Sequence, residues 1–134
     1  MTNDKIQMTN EIQMTKGECS KQKYDLEERT SIFAKRCITI CGLLKIDTIN
    51  MILTGQLVRS SGSVGANYRE ANDAISRKEF YHRIGICRKE AKESKYWLEL
   101  VLHANSEFNI EMERLVNEAF QLARIFSSIS KNKL

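Results

Sequence analysis

The sequence predicts an all-α protein, an up-down-up-down antiparallel four-helix bundle. Three observations carry that expectation. The 134 residues contain no proline, and few turn dipeptides interrupt the chain. Four stretches repeat apolar residues at alternating four- and three-residue spacing, which lays them on one stripe of a helix. The stretches are separated by short connections, two of which end in capping signals, and short connections make successive helices antiparallel neighbours. A chain of this length fits one domain with a core large enough to fold without cross-links.

Met1 to Lys23 reads as a polar lead. MTNDKIQ is followed by MTNEIQ and MTK, a slipped repeat with only Ile6 and Ile12 as regular apolar positions. Such composition predicts a disordered or frayed segment, so residues 1–23 are set apart from a bundle domain at 24–131. Asp25-Leu26-Glu27-Glu28 has the form of a capping box and predicts the first helix start at Asp25. Its seam is Leu26, Thr30, Phe33, Cys37, Ile40 and Leu44, and a loop is expected from about Leu43 to Asp47.

The second helix is predicted to begin near Asp47 or Thr48. Its seam runs Leu53, Leu57, Ser60, Val64, Asn67, Ala71, Ala74. Local propensity drops over Ser60 to Gly65, where each glycine costs a helix about 1 kcal/mol relative to alanine. The stripe nevertheless continues in phase, which favours a helix whose small residues admit a close neighbour over a loop. Ser76-Arg77-Lys78-Glu79 is a second capping box and opens the third helix, with seam Phe80, Ile84, Cys87, Ala91, Ser94, Leu98, Val101. Asn105 and Ser106 mark a turn. Asn109 is the expected N-cap of the fourth helix, whose seam is Met112, Leu115, Ala119, Leu122, Phe126, Ile129.

Chemistry-bearing constellations are sparse. Gly62-Ser63-Val64-Gly65 lacks the Gly-Lys-Ser/Thr ending of a phosphate-binding loop and has no strand before it. Cys37 and Cys41 are one helical turn apart, without Cys-x-x-Cys or paired-histidine spacing, so they read as small core hydrophobes and no metal or cofactor is expected. Glu70, Glu90 and Glu93 lie closest to the seams, but no nucleophile or oxyanion donor accompanies them, so a non-enzymatic protein is expected. Arg59, Ser60, Asn67, Glu70 and Glu90 read instead as a polar layer that fixes the bundle's register.

The net charge of +4 concentrates on the third helix. Arg77, Lys78, Arg83, Arg88, Lys89, Lys92 and Lys95 outnumber Glu79, Glu90 and Glu93, seven against three. Such a stripe can track phosphates and make binding salt-sensitive, with Tyr68, Tyr81 and Tyr96 available to stack on bases. The alternative is a solvated face stitched by pairs such as Lys89–Glu93. Tyr96 and Trp97 at the stripe edge suit an interface anchor between copies, or completion of the core. No apolar signal segment or membrane-spanning run is present, and the cysteines form no disulfide framework, so a cytoplasmic protein is expected.

Gln56-Leu57-Val58-Arg59-Ser60 and Ser63-Val64-Gly65-Ala66-Asn67-Tyr68-Arg69-Glu70-Ala71 resemble the second-helix signature of the bacterial 23S rRNA-intervening-sequence proteins. The resemblance continues through Phe80, Lys89-Glu90-Ala91, Glu93-Ser94 and Tyr96-Trp97-Leu98, includes Asp25 to Thr30, and covers about Tyr24 to Ser130. It implies an up-down four-helix bundle assembled as a homopentamer. The family includes the accessory protein of diversity-generating retroelements, a basic pentamer that binds nucleic acid and a reverse transcriptase. RNA or DNA, a reverse transcriptase and further copies of the chain are therefore the partners the resemblance implies; a protein-binding scaffold without a nucleic-acid role is the alternative.

Overall fold

The structure is a computed structural model that describes residues 16–132, with side chains from residue 26 onward. It contains four long helices, α1 (Lys16–Gly42), α2 (Thr48–Asn72), α3 (Arg77–Ala104) and α4 (Asn109–Lys131), with one 3-10 turn at Ser106–Phe108. Among the described residues there is no strand. Helix α1 starts nine residues before the expected Asp25, so the capping box lies inside the helix and Lys16 to Lys23 are helical. Lys, Glu and Gln dominate that stretch and favour helix, but without an apolar stripe they leave no periodicity to detect. The slipped repeat before it lies outside the described residues.

The other boundaries follow local chemistry. Asp47 caps α2, its carboxylate accepting from the Asn50 backbone N–H at 2.8 Å. Ser76 caps α3 by accepting from the Glu79 N–H at 3.0 Å. Each satisfies one of the orphan donors that every helix start exposes. Asn109 departs from expectation. It is already helical, and Phe108 holds the cap position without a side-chain bond because the 3-10 turn leads directly into α4. Gly62 to Gly65 continue α2 without a break.

The helices close into a four-helix bundle. Helix α2 packs most extensively on α3, and α3 on α4; α1 leans on α2 and, more lightly, on α4. The seams of α1 and α4 are buried at every expected position, with Phe33 and Phe126 the largest side chains fully enclosed. Burying such a side chain stabilises by roughly 1.5–3 kcal/mol. On α2 the core residue is Tyr68 rather than the expected Asn67; the Tyr68 ring meets Phe126 at 5.8 Å between centroids.

Polar pairs tie the seams. Between α2 and α3, Asn50 and Asn105 exchange two amide hydrogen bonds of 3.0 and 2.8 Å, both side chains being buried. The Ser60 and Ser94 hydroxyls meet at 2.9 Å in full burial. At Gly65 α1 packs tightly against α2. A Cβ at that position would lie 2.9 Å from the Thr30 hydroxyl oxygen, so only glycine fits without a shift. Two ion pairs join α1 to α4, Arg29 to Glu118 at 2.8 Å and Arg36 to Glu111 at 3.0 Å.

Candidate nucleic-acid interface

A furrow of about 500 Å³ runs between the outer faces of α3 and α4. Helix α3 contributes Arg88, Lys92, Lys95, Tyr96 and Glu99 to its lining, and α4 contributes Phe120, Arg124, Ser127, Ser128 and Lys131. Five cationic side chains thus face one carboxylate. That carboxylate, Glu99, is held by Lys95 at 2.8 Å one helical turn away. Arg88 donates through Nε to the Ser127 hydroxyl at 2.8 Å, a neutral partner that positions the guanidinium without neutralising it. Arg124 sits over the Phe120 ring, 5.8 Å from its centroid. Among the described residues, no carboxylate lies within ion-pair distance of Arg88, Lys92, Arg124 or Lys131.

The seven basic residues picked from α3 separate into groups. Arg88, Lys92 and Lys95 line the furrow. Lys89 is exposed but does not line it, and Arg77 and Lys78 are exposed at the opening turn of α3. Arg83 is displaced to the opposite flank. Its Nη1 donates to Asn67 of α2 at 3.0 Å, and its buried Nε has no hydrogen-bond partner. Only Tyr96 of the three tyrosines fits the expected stacking role, being 54% exposed. Tyr68 is buried, and Tyr81 is half-buried with its ring edge-on to Phe80.

The α4 half of the furrow was not anticipated. Its signal was present as Phe120, Arg124, Ser127 and Lys131, spaced four, three and four apart. Spacing places those residues on one face of α4. Which helix that face adjoins is decided by tertiary packing.

The residues read as a polar layer take different places. Ser60 and Glu90 are buried, and Arg59 reaches over both Glu90, at 3.4 Å, and Glu93. Asn67 is half-buried and donates to the Ser63 carbonyl and hydroxyl, both at 2.9 Å. Glu70 must be corrected: it is exposed, because its position on α2 points away from the seam, and it meets neither Arg59 nor α3. Trp97 is half-buried against the chain's own core. Its indole N–H donates to Glu93 at 3.1 Å, and its ring supports Tyr96 at 5.3 Å.

Residues 22–128 match the family of 23S rRNA-intervening sequence proteins. The chain belongs to that family. Its fold is similar to the crystal structure of a protein of unknown function from the S23 ribosomal protein family of Bacteroides thetaiotaomicron VPI-5482. The two share 31% identity with a TM-score of 0.71, over 78% of this chain and 97% of that one. Among curated proteins none matches.

The remaining reactive groups belong to the core of this family member. Burial pushes the Cys37 and Cys87 thiols up to about 12 and Cys41 to about 11, so all three stay protonated near neutral pH. Among the described residues, no group of three or more His, Cys, Asp or Glu side chains is placed to hold a metal ion. No helix among them is long and apolar enough to cross a membrane.

Proposed function

We propose that this chain is a non-enzymatic helical-bundle protein that assembles with copies of itself and binds nucleic acid, RNA foremost, along the α3–α4 furrow. The observation that carries this reading is the meeting of Arg88, Lys92 and Lys95 with Arg124 and Lys131 around one furrow whose sole carboxylate is occupied by Lys95. Cations held apart from carboxylates keep their full attraction for phosphate, and binding them releases counterions. The up-down-up-down order is part of the reading. Residue pairs such as 29–118 with 36–111, and 50–105 with 60–94, run in opposite directions along their helices, which supports it. The resemblance to the family, which includes a pentameric nucleic-acid-binding accessory protein, supports self-assembly and makes a reverse transcriptase a candidate protein partner, and the reading keeps the cytoplasmic location expected from the sequence.

The test is binding of structured RNA at several salt concentrations. Affinity should fall steeply with salt, and each removed phosphate contact, as in Arg88→Gln or Lys92→Gln, should flatten the log–log slope by about 0.7–0.9. Absence of salt-dependent binding at low ionic strength would exclude the reading. A protein-binding scaffold is the second reading. It is favoured by Leu43, Ile46, Ile49 and Ile52 around the α1–α2 connection, each more than 60% exposed. Light-scattering mass measured with and without RNA separates the two.

A further inference from the structure

We propose that the α3–α4 furrow is built for a single strand with unstacked bases rather than for a duplex. The inference rests on the nucleic-acid reading above and concerns which form of polyanion the furrow takes.

Electrostatics alone does not choose between strand forms, since both carry phosphates. The aromatic residues do. Tyr96 is 54% exposed and Phe120 is 44% exposed, and the two come from different helices to line the same furrow. Among the described residues they are the two large aromatic side chains left exposed, and leaving such area in water forgoes burial energy. Each ring is also held by its own helix, Tyr96 by Trp97 at 5.3 Å and Phe120 by Arg124 at 5.8 Å. A ring fixed in that way is a platform that loses little freedom when a base stacks on it. A duplex keeps its base faces stacked inside and offers such rings nothing, whereas a single strand can splay its bases onto them.

Size is compatible with such a ligand. A volume of about 500 Å³ falls in the range of pockets that enclose one small ligand, roughly 300–1,000 Å³. It is large enough for a base with its flanking phosphates. The hydroxyls of Ser127 and Ser128 supply neutral donors beside the cations, suited to phosphate oxygens or a ribose 2′-OH. Arg88, which donates through Nε to Ser127, lines the same space. The furrow thus holds the two components of a single-strand site, a cationic track and stacking faces.

The test uses the full chain and fluorescence anisotropy with two probes of about twelve nucleotides, an unstructured oligouridylate and a blunt RNA duplex, at about 100 mM salt. The single strand should bind at least about tenfold more tightly. Tyr96→Leu and Phe120→Leu keep apolar bulk and remove the ring. Each should weaken the single strand by about 5- to 100-fold with the salt slope unchanged, and leave the duplex unaffected. Tyr96→Ala and Phe120→Ala repeat the measurement without the bulk, with helicity by circular dichroism confirming the fold. Equal binding of both probes, with the ring variants neutral, would overturn the single-strand inference while leaving the cationic interface standing. No salt-dependent binding of either probe would remove the nucleic-acid reading itself.

Discussion

The α2–α3 seam contains buried neutral pairs, whereas the polar contacts described across α1–α4 are ion pairs. Across α2–α3 two polar contacts are buried, small and neutral, the Asn50–Asn105 amide pair and the Ser60–Ser94 hydroxyl pair, beside the half-exposed Arg59 bridge to Glu90 and Glu93. Across α1–α4 the contacts are long, charged and partly in water, with Arg29 and Glu118 retaining about a fifth to a quarter of their exposure. A buried neutral pair stabilises modestly when intact and costs heavily when one partner is removed, because the other is stranded away from water. A surface ion pair is replaced by water and ions when broken. The first seam therefore sets register, and the second adds complementarity around an apolar core.

The largest effect should come from Asn105→Ala. The change removes both amide bonds to Asn50 and the bond to the Val101 carbonyl at 2.9 Å. The side chain of Asn50, a residue 5% exposed, keeps only its bond to the Lys45 carbonyl. Stranding its amide oxygen should cost about 2–3 kcal/mol, seen as a fall in Tm of about 10 °C. The double variant Asn50→Ala/Asn105→Ala should lose clearly less than the two single losses combined. Additive losses would mean that the pair is not the unit that fixes this end of the bundle.

Two glycines of α2 give the next effect, with opposite signs. At Gly65 a methyl group would press on Thr30, which cannot withdraw: it is fully buried, and its hydroxyl donates to the Leu26 carbonyl at 2.7 Å. Overpacking of this kind costs about 1–3 kcal/mol, and the helix-propensity gain of about 1 kcal/mol offsets only part of it. Gly65→Ala should therefore destabilise by about 1 kcal/mol in denaturant titration. At Gly62 a methyl group meets nothing within 4 Å, so Gly62→Ala should stabilise by up to about 1 kcal/mol. Equal signs would remove the close approach of α1 as the reason for Gly65.

The same residues mark how far the sequence could be read. The seams of α1 and α4 were legible because nearly every position is apolar, and a 3.6-residue period then has one solution. Helix α2 was legible as a helix and in its buried face at Leu57, Ser60, Val64 and Ala71, but not at Asn67. Asn67 and Tyr68 are neighbours on its surface, and the Phe126 ring of α4 decides that Tyr68 turns inward. Glu70, one position before the buried Ala71, lies in solvent. Asn105 read as a turn residue because its partner, Asn50, lies 55 positions away and has no sequence signature. The furrow was half visible for the same reason: α3 advertises its cations by number, whereas Phe120, Arg124 and Lys131 gain meaning only beside α3.

The smallest effect is expected on the other seam. Glu118→Gln keeps the shape of the side chain and removes its charge opposite Arg29, whose Nε and Nη2 donate to the carboxylate at 2.8 and 3.0 Å. The paired fork geometry is favourable, but both groups retain access to water, so the loss should be about 0.5–1 kcal/mol. It should shrink further as salt is raised through about 0.15–1 M, because screening weakens the wild-type pair and leaves the amide unaffected. Parallel denaturant titrations of wild type and variant at low and high salt measure both quantities. If Glu118→Gln cost as much as Asn105→Ala and ignored salt, the α1–α4 pair would be acting as a desolvated bond. The distinction between the two seams would then fail at its charged end.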